Sequence, residues 1–169
     1  MCTKEGWRGP GAQAVYENLL VEAQALLSAE TDWLANLANA AALIYSTLPD
    51  LNWAGFYLTK RGELVLGPFQ GKPACVRIPW GRGVCGTAAQ RRATIVVPDV
   101  HQFPGHIACD PASRSEIVVP IIHGGNVWGV LDLDSPYEGR FSQLDQQYLE
   151  QLVELLNKHI DWQAACSSR

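Results

Sequence analysis

The hydrophobic period of the chain changes near Trp53, and this change constrains the fold most strongly. Before it, residues 15–28 and a segment capped by Thr31 place apolar side chains at helical spacing, and Pro49 ends the second segment. After it, short β-branched and aromatic runs alternate with glycine-containing turns, which is typical of antiparallel hairpins. A long amphipathic helix then follows Ser142, the predicted N-cap. This order predicts an α+β fold, with a central antiparallel sheet and the N- and C-terminal helices packed on one face.

The turn signals also predict where the individual elements lie. The predicted strands cover residues 53–58, 63–69, 94–97, 116–122 and 127–134, and a short helix runs from about 83 to 92. Residues 98–114 form a long loop, a length that usually indicates a functional or disordered segment. We expect residues 1–11 to form a disordered arm and residues 12–165 to form a single domain.

Composition and charge exclude several classes of partner. The 169 residues are 47% hydrophobic and 18% charged, and a net charge of −4 without a Lys/Arg run argues against nucleic acid and against a membrane surface. We find no signal-like segment and no apolar stretch long enough to span a bilayer, so we expect a cytoplasmic protein. Five cysteines, an odd number, argue against a fully paired extracellular framework.

Three cysteines, Cys75, Cys85 and Cys109, lie in the loop-rich middle of the chain. Cys85 is near a predicted helix start and Arg82, which would lower the pKa of its thiol, although a small apolar packing role is the commoner fate of a lone cysteine. Cys75 and Cys109 lie on polar loops, where reactivity is favoured over burial. The residues alone do not rank the three thiols as nucleophile, resolving thiol and bystander.

Carboxylates and aromatic residues form a second set of candidates. Asp132 and Asp134 would share a strand face with Trp128, and the two carboxylates would be about 6–7 Å apart along the strand. Glu116 begins an adjoining strand. These acids are either a polar strand edge or an anionic pocket in which one carboxyl stays protonated. Trp53 and Tyr57 are four residues apart and share a face of their own predicted strand. These rings are either core or the apolar wall of a ligand cavity.

Two other kinds of site fit the sequence poorly. The cysteine spacing, with His101 or His106 as further ligands, matches no close-paired zinc motif. The glycine-rich run near Gly81 lacks both the P-loop ending and the GxGxxG pattern. We therefore predict neither a metal site nor a nucleotide site.

Four segments together resemble one known family. LNWAGFYL, GPFQGKPACVRIPWGRGVCGTAA, VVPDVHQFPGHIACDPASRSEIVVPI and VWGVLDLDSP are similar to the free methionine-(R)-sulfoxide reductases, GAF-domain enzymes that reduce the free amino acid. The resemblance covers roughly residues 15–160. It implies a GAF fold, with active-site loops on the sheet face opposite the terminal helices.

The resemblance also implies roles for individual residues. Cys109 corresponds to the catalytic cysteine, Cys75 to the resolving cysteine, and Cys85 to a third cysteine able to form an alternative disulfide with Cys109. The implied substrate site consists of three acids, which bind the polar groups and the sulfoxide oxygen, and two aromatic residues around the methyl group: Glu116, Asp132, Asp134, Trp53 and Tyr57.

The expected partners follow from the same resemblance. They are free methionine sulfoxide, a thioredoxin-type reductant supplied by NADPH, and a second copy of the chain in a homodimer, with no cofactor or metal. The alternative is a GAF binding module that senses a small ligand and uses its cysteines as redox switches. Because a sensor normally works attached to an output domain, for which this chain has no room, we expect the enzyme.

Overall fold

Six strands form one antiparallel sheet in the computed structural model, which describes Trp7 and residues 9–167. The strands are β1 (Trp53–Lys60), β2 (Glu63–Gly71), β3 (Arg77–Pro79), β4 (Ile95–Val97), β5 (Ser115–His123) and β6 (Asn126–Ser135). They lie side by side in the order β3-β2-β1-β6-β5-β4. The long strands β1, β6 and β5 are therefore neighbours in the middle of the sheet.

Helices cover both faces of this sheet. They are α1 (Pro10–Ser28), α2 (Trp33–Thr47), α3 (Gly83–Arg91), α4 (Gln143–His159) and α5 (Trp162–Cys166), with a 3-10 turn at Val100–Gln102. The main core lies between the sheet and α1, α2, α4 and α5. A smaller core lies between the opposite face, α3 and the long loops. The predicted α+β architecture is confirmed, with the terminal helices on one face and the loops on the other.

Alternate residues of the central strands serve the two cores. Ile117 and Leu131 point to the main core, while their neighbours Val118 and Val130 point to the smaller one. This alternation follows from the two-residue period of a strand. It decides which side chains of β5 and β6 are available to a site on the loop face.

A β-bulge changes the face of one predicted residue. The pairing of β5 with β6 shifts between Ile121 and Ile122, where the register passes from Gly129 to Val127. Trp128 consequently packs against the main core, and its indole N–H donates to the carbonyl oxygen of His123, 3.0 Å away. The expectation that Trp128 shares the face of Asp132 is wrong, because a bulge interrupts the period of two.

Side-chain caps fix the starts of α2 and α4. The Asp32 carboxylate accepts a hydrogen bond from the backbone N–H of Ala35, so the N-cap is one residue later than the predicted Thr31. Ser142 is the N-cap of α4, as predicted. The Asp145 carboxylate accepts hydrogen bonds from the Ser142 backbone N–H at 2.7 Å and from its hydroxyl at 2.9 Å.

Asp145 also ties the N-terminal part of the chain to α4. It is fully buried, accepts hydrogen bonds from the Trp7 indole and the Tyr16 hydroxyl, and pairs with Arg140 at 3.0 Å. The arm predicted for residues 1–11 is thus too long at its C-terminal end, since α1 already begins at Pro10 and Trp7 is anchored. Residues 1–6 and 8 of that predicted arm lie outside the described residues.

Two short elements were not predicted, β3 and α5. Each is too short to leave a readable hydrophobic period, and β3 is held by pairing with β2. None of the helices in the described residues has the length and apolar character needed to cross a membrane.

Candidate active site

A cavity on the loop face of the sheet collects most of the candidate residues. It has a volume of about 40 Å³ and lies between the central strands, α3 and the loops on either side. Seven of the eight predicted site residues line it: Trp53, Tyr57, Cys85, Cys109, Glu116, Asp132 and Asp134. The eighth, Cys75, is bonded to Cys109 at the edge of the cavity.

Stacked aromatic rings form one wall of the cavity. The rings of Trp53 and Tyr57 stack with centroids 5.9 Å apart, and Phe69 also stacks on Trp53, at 5.2 Å. The Trp53 indole N–H donates to the carbonyl oxygen of Lys72, 3.2 Å away, which fixes the plane of the ring. This rigid apolar wall is suited to a small methyl or thioether group.

A disulfide joins two of the three candidate cysteines. Cys75, on the loop before β3, is bonded to Cys109, on the loop before β5, with their Cα atoms 5.7 Å apart. The Tyr57 hydroxyl donates a hydrogen bond to the carbonyl oxygen of Cys75 at 2.8 Å. The sulfur pair that residue patterns could not single out is therefore Cys75 with Cys109, and it lies against the aromatic wall.

The third cysteine occupies a different environment from the one that the sequence suggested. Cys85 lies in the first turn of α3 with a free, buried thiol, and its Sγ is 3.9 Å from Glu116 Oε1. Burial raises the pKa of this thiol well above its ordinary value, and the charges of Asp132 and Glu116 act in the same direction. The expectation of a lowered pKa at the helix start is therefore wrong, because desolvation and nearby acids dominate.

Three acids form the floor of the cavity. Glu116 on β5 is paired in register with Asp134 on β6, and Asp132 is two residues before Asp134 on the same face. Glu116 and Asp132 are only 6% and 5% exposed, whereas Asp134 is half-buried. The close approach of three carboxyls in a region shielded from water favours their protonated forms.

Burial sets the protonation of this cluster. It raises the pKa of Glu116 to about 8, with the charge of Asp134 adding to the effect. Burial also raises the pKa of Asp132, together with the charge of Glu116, and that of Asp134, together with the charge of Asp132. The acids therefore titrate as a coupled group and keep a proton near neutral pH.

His106 is a site residue that the sequence analysis treated as a poor zinc ligand and did not assign. Its Nε2 lies 3.6 Å from Glu116 Oε2, and the side chain lines the cavity with 15% of its surface exposed. Burial lowers its pKa, which favours the neutral imidazole. It precedes Cys109 by three residues on an irregular loop, where no periodicity indicates the direction of a side chain.

Asn52 is a second residue that the sequence analysis missed. Its side-chain amide donates to Asp110 Oδ2 at 3.0 Å and to Ser113 Oγ at 2.9 Å. Both partners follow Cys109 on the loop before β5, so Asn52 ties this loop to the start of β1. An asparagine just before a strand carries no sequence signal for such a long-range contact.

Comparison with known proteins assigns the fold to one domain family. The GAF domain family matches residues 13–160, so the sheet, its helices and its cavity define a GAF domain. A free methionine-R-sulfoxide reductase of Escherichia coli is 57% identical over 143 residues, which cover 85% of this chain and 87% of that protein. The chain belongs to the free methionine-R-sulfoxide reductase family of GAF domains.

Two further relatives agree with this membership. The free methionine-R-sulfoxide reductase of Saccharomyces cerevisiae is 49% identical over 155 residues, covering 86% of each chain. The crystal structure of the Neisseria meningitidis free methionine-R-sulfoxide reductase, in complex with its substrate, is 44% identical with a TM-score of 0.88. That match covers 94% of this chain and 95% of the other. The predicted GAF fold and the predicted enzyme class are both confirmed.

Proposed function

We propose that this chain reduces free L-methionine (R)-S-oxide to L-methionine in the cavity on the loop face. One observation carries the proposal: a disulfide-forming cysteine pair adjoins a cavity that combines stacked aromatic rings with buried, proton-holding carboxyls. A thiol-dependent sulfoxide reductase needs this combination, because it must bind a methyl sulfoxide, protonate its oxygen and supply two electrons from thiols.

The aromatic wall and the acids recognise different parts of the substrate. Trp53 and Tyr57 hold the methyl group on sulfur by apolar contact. Asp134, the most exposed of the three acids, accepts a hydrogen bond from the substrate ammonium group, while Glu116 and Asp132 face the sulfoxide oxygen deeper in the cavity. An ammonium group is present on the free amino acid and absent from a residue within a peptide, which favours the free form.

The first chemical step is attack by Cys109 on the substrate sulfur. A protonated carboxyl of the acid cluster donates a hydrogen bond to the sulfoxide oxygen and makes the sulfur more electrophilic. The Cys109 thiolate attacks, the oxygen is transferred to the cysteine sulfur, and methionine leaves. Methionine sulfur is thereby reduced by two electrons, and Cys109 is oxidised to a sulfenic acid.

The second step regenerates the enzyme through the observed sulfur pair. The Cys75 thiol condenses with the Cys109 sulfenic acid, forming the disulfide and releasing one water molecule. A thioredoxin-type dithiol then reduces the disulfide by exchange, drawing on NADPH. Cys85 serves as an alternative partner for Cys109. Since thiols supply every electron, the cycle requires no metal or organic cofactor.

We also propose where and in what form the chain works. Residues 12–165 act as one GAF domain, and a reducing cytoplasm maintains the thiol cycle. The enzyme acts as a homodimer, for which the exposed apolar side chains of Val21 and Leu34 on the helical face offer contact area.

A coupled assay tests the proposal directly. We would follow NADPH loss with thioredoxin and thioredoxin reductase, and compare the (R) and (S) epimers of free methionine sulfoxide with a sulfoxide-containing peptide. We expect turnover of the free (R) epimer alone. Turnover of the peptide only, or of no substrate, would contradict the proposed function, and turnover with a chemical dithiol but not thioredoxin would contradict only the proposed reductant.

A further inference from the structure

We infer that Cys85, Glu116 and Asp132 form an inhibitory binding site for a thiophilic divalent cation such as Zn²⁺. One ligand atom from each of the three side chains lies within 4.8 Å of the other two. Zinc bonds of about 2.0–2.3 Å to oxygen and sulfur place tetrahedral ligands about 3.5 Å apart. Small side-chain rotations are therefore sufficient to bring these three atoms onto one cation.

The kinds of donor atom fit zinc better than a hard cation. The cluster offers one sulfur and two carboxylate groups, and His106 Nε2 lies 3.6 Å from the second Glu116 oxygen as a nitrogen donor at the cavity mouth. Sulfur and imidazole ligands favour zinc and its neighbours, whereas calcium and magnesium prefer oxygen alone. The three clustered side chains would supply three ligands of a tetrahedral site, and a water molecule would fill the fourth position.

The state of Asp132 is an independent indication that the cluster accepts a ligand. Asp132 is only 5% exposed, yet its Oδ1 has no hydrogen-bond partner among the described residues, Trp7 and 9–167. A buried acceptor left without a partner is destabilising. Because Asp132 lines the cavity, a cation held there with Cys85 and Glu116 would satisfy this oxygen.

The site is available while the other two candidate cysteines are oxidised. Cys75 and Cys109 are joined to each other, and Cys85 keeps a free thiol. The cation therefore binds the disulfide form of the enzyme. On the proposed function, it would occupy the two carboxyls that face the sulfoxide oxygen and would compete with the substrate.

Cobalt binding to the full chain in its disulfide form tests the site without relying on activity. A Cys2→Ser, Cys166→Ser background leaves Cys85 as the single free thiol, since Cys75 and Cys109 are bonded. We would titrate this protein with Co²⁺ and record the sulfur-to-cobalt charge-transfer band and the visible bands of tetrahedral cobalt. We expect one equivalent to bind, and Zn²⁺ and excess methionine sulfoxide each to displace it.

Ligand variants in the same background identify the residues. Cys85→Ser should abolish the charge-transfer band, and Asp132→Asn should keep the band but weaken Co²⁺ binding at least about 10-fold. The matched control restores Cys166, a second free thiol packed near Trp128, and should leave the titration unchanged. Circular dichroism checks that each variant is folded. If Cys85→Ser does not fold, Asp132→Asn still decides the test.

Failure of the site and failure of the proposed function have different signatures. A charge-transfer band that survives Cys85→Ser, or Co²⁺ binding that is insensitive to Asp132→Asn, would overturn the cation site. If the wild-type chain binds Co²⁺ but does not reduce methionine sulfoxide, the proposed function is overturned and the cation site remains. Cobalt that methionine sulfoxide cannot displace would contradict competition between the two ligands.

Discussion

The Tyr57 hydroxyl donates a hydrogen bond to the backbone carbonyl oxygen of Cys75, 2.8 Å away, and so connects the aromatic wall to one half of the disulfide. Burial raises the pKa of Tyr57, with further contributions from the charges of Asp132 and Cys85, so that the hydroxyl remains a donor across the assay range. The aromatic wall of the cavity and the loop that carries Cys75 are therefore connected through the Tyr57 side chain.

Tyr57→Phe should separate the two roles of this residue. The phenyl ring keeps the apolar wall, so binding of the substrate and the first turnover should change little. Loss of a hydrogen bond worth about 1 kcal/mol should slow disulfide formation about 5-fold, because the Cys75 loop is less well positioned. Rapid-quench measurement of methionine release and thiol loss checks this, and an equal slowing of both steps would contradict it.

Cysteine variants should separate the formation of the Cys109 sulfenic acid from its later conversion to a disulfide. Cys109→Ser should abolish methionine formation, whereas Cys75→Ser should still release one methionine per enzyme and lose thioredoxin-linked turnover unless Cys85 replaces it. A Cys75→Ser, Cys85→Ser double variant should therefore stop at a single turnover. Cys166→Ser is the control and should retain wild-type rates. Full thioredoxin-linked activity in Cys109→Ser would show that another group is the nucleophile.

The acid cluster should make activity fall at alkaline pH. Because burial raises the pKa of Glu116 to about 8, a protonated carboxyl is available at neutral pH and is lost above that value. We expect kcat/KM for free methionine sulfoxide to decline through an apparent pKa near 8. Glu116→Gln donates a hydrogen bond but no proton, and should lower kcat about 100-fold and remove this limb. An unchanged alkaline limb in the variant would assign it to another group.

The same residue should reduce folding stability as the pH rises. Glu116 has a folded pKa of about 8 against an ordinary value of 4.5, so the folded protein binds its proton more tightly than the unfolded chain. Stability is therefore fully present below pH 4.5 and is lost as the pH rises toward 8. Glu116→Gln should stabilise the protein by about 1–3 kcal/mol at pH 8. Urea unfolding at pH 5 and pH 8 measures the difference, which should be small at the lower pH.

Asp145 should have the opposite dependence on pH. Burial works against its charge, but the Arg140 guanidinium and hydrogen bonds from Trp7 and Tyr16 outweigh that effect and hold its pKa below 3.8. Its contribution is present above that ordinary value and is lost as the pH falls through the folded pKa. Asp145→Ala leaves Arg140 buried without its partner and should cost about 3–5 kcal/mol at pH 7. Asp161→Ala, which removes only the exposed cap of α5, is the matched control for thermal unfolding.

The sequence predicted the long elements well because each buries a regular face. The helical spacing after Ser142 and the alternation around Leu131 are enforced by the main core, and both elements are found where they were expected. The exceptions are local: a bulge turns Trp128 to the other face, and β3 depends on pairing with β2. Neither feature leaves a periodic signal.

The sequence predicted which residues form the site better than it predicted their pKa values and contacts. Family resemblance implied the pairing of Cys75 with Cys109, whereas residue patterns left three thiols equal. The pKa of Cys85 was expected to fall because a helix start was visible, but burial raises it, and so do acids from strands distant in the sequence. His106 and Asn52 act across loops, where spacing along the chain does not indicate spacing in the fold.

The alternation along β5 and β6 has a consequence for how such an enzyme can change. Glu116 and Asp132 face the cavity and Val118 packs in the smaller core on the same sheet face, while Ile117, Val119 and Leu131 pack against the helices on the other face. Substitutions at the cavity-facing positions can alter substrate preference without changing the residues that pack against the helices. Directed evolution toward other small sulfoxides can therefore vary every second position of two strands and keep the scaffold intact.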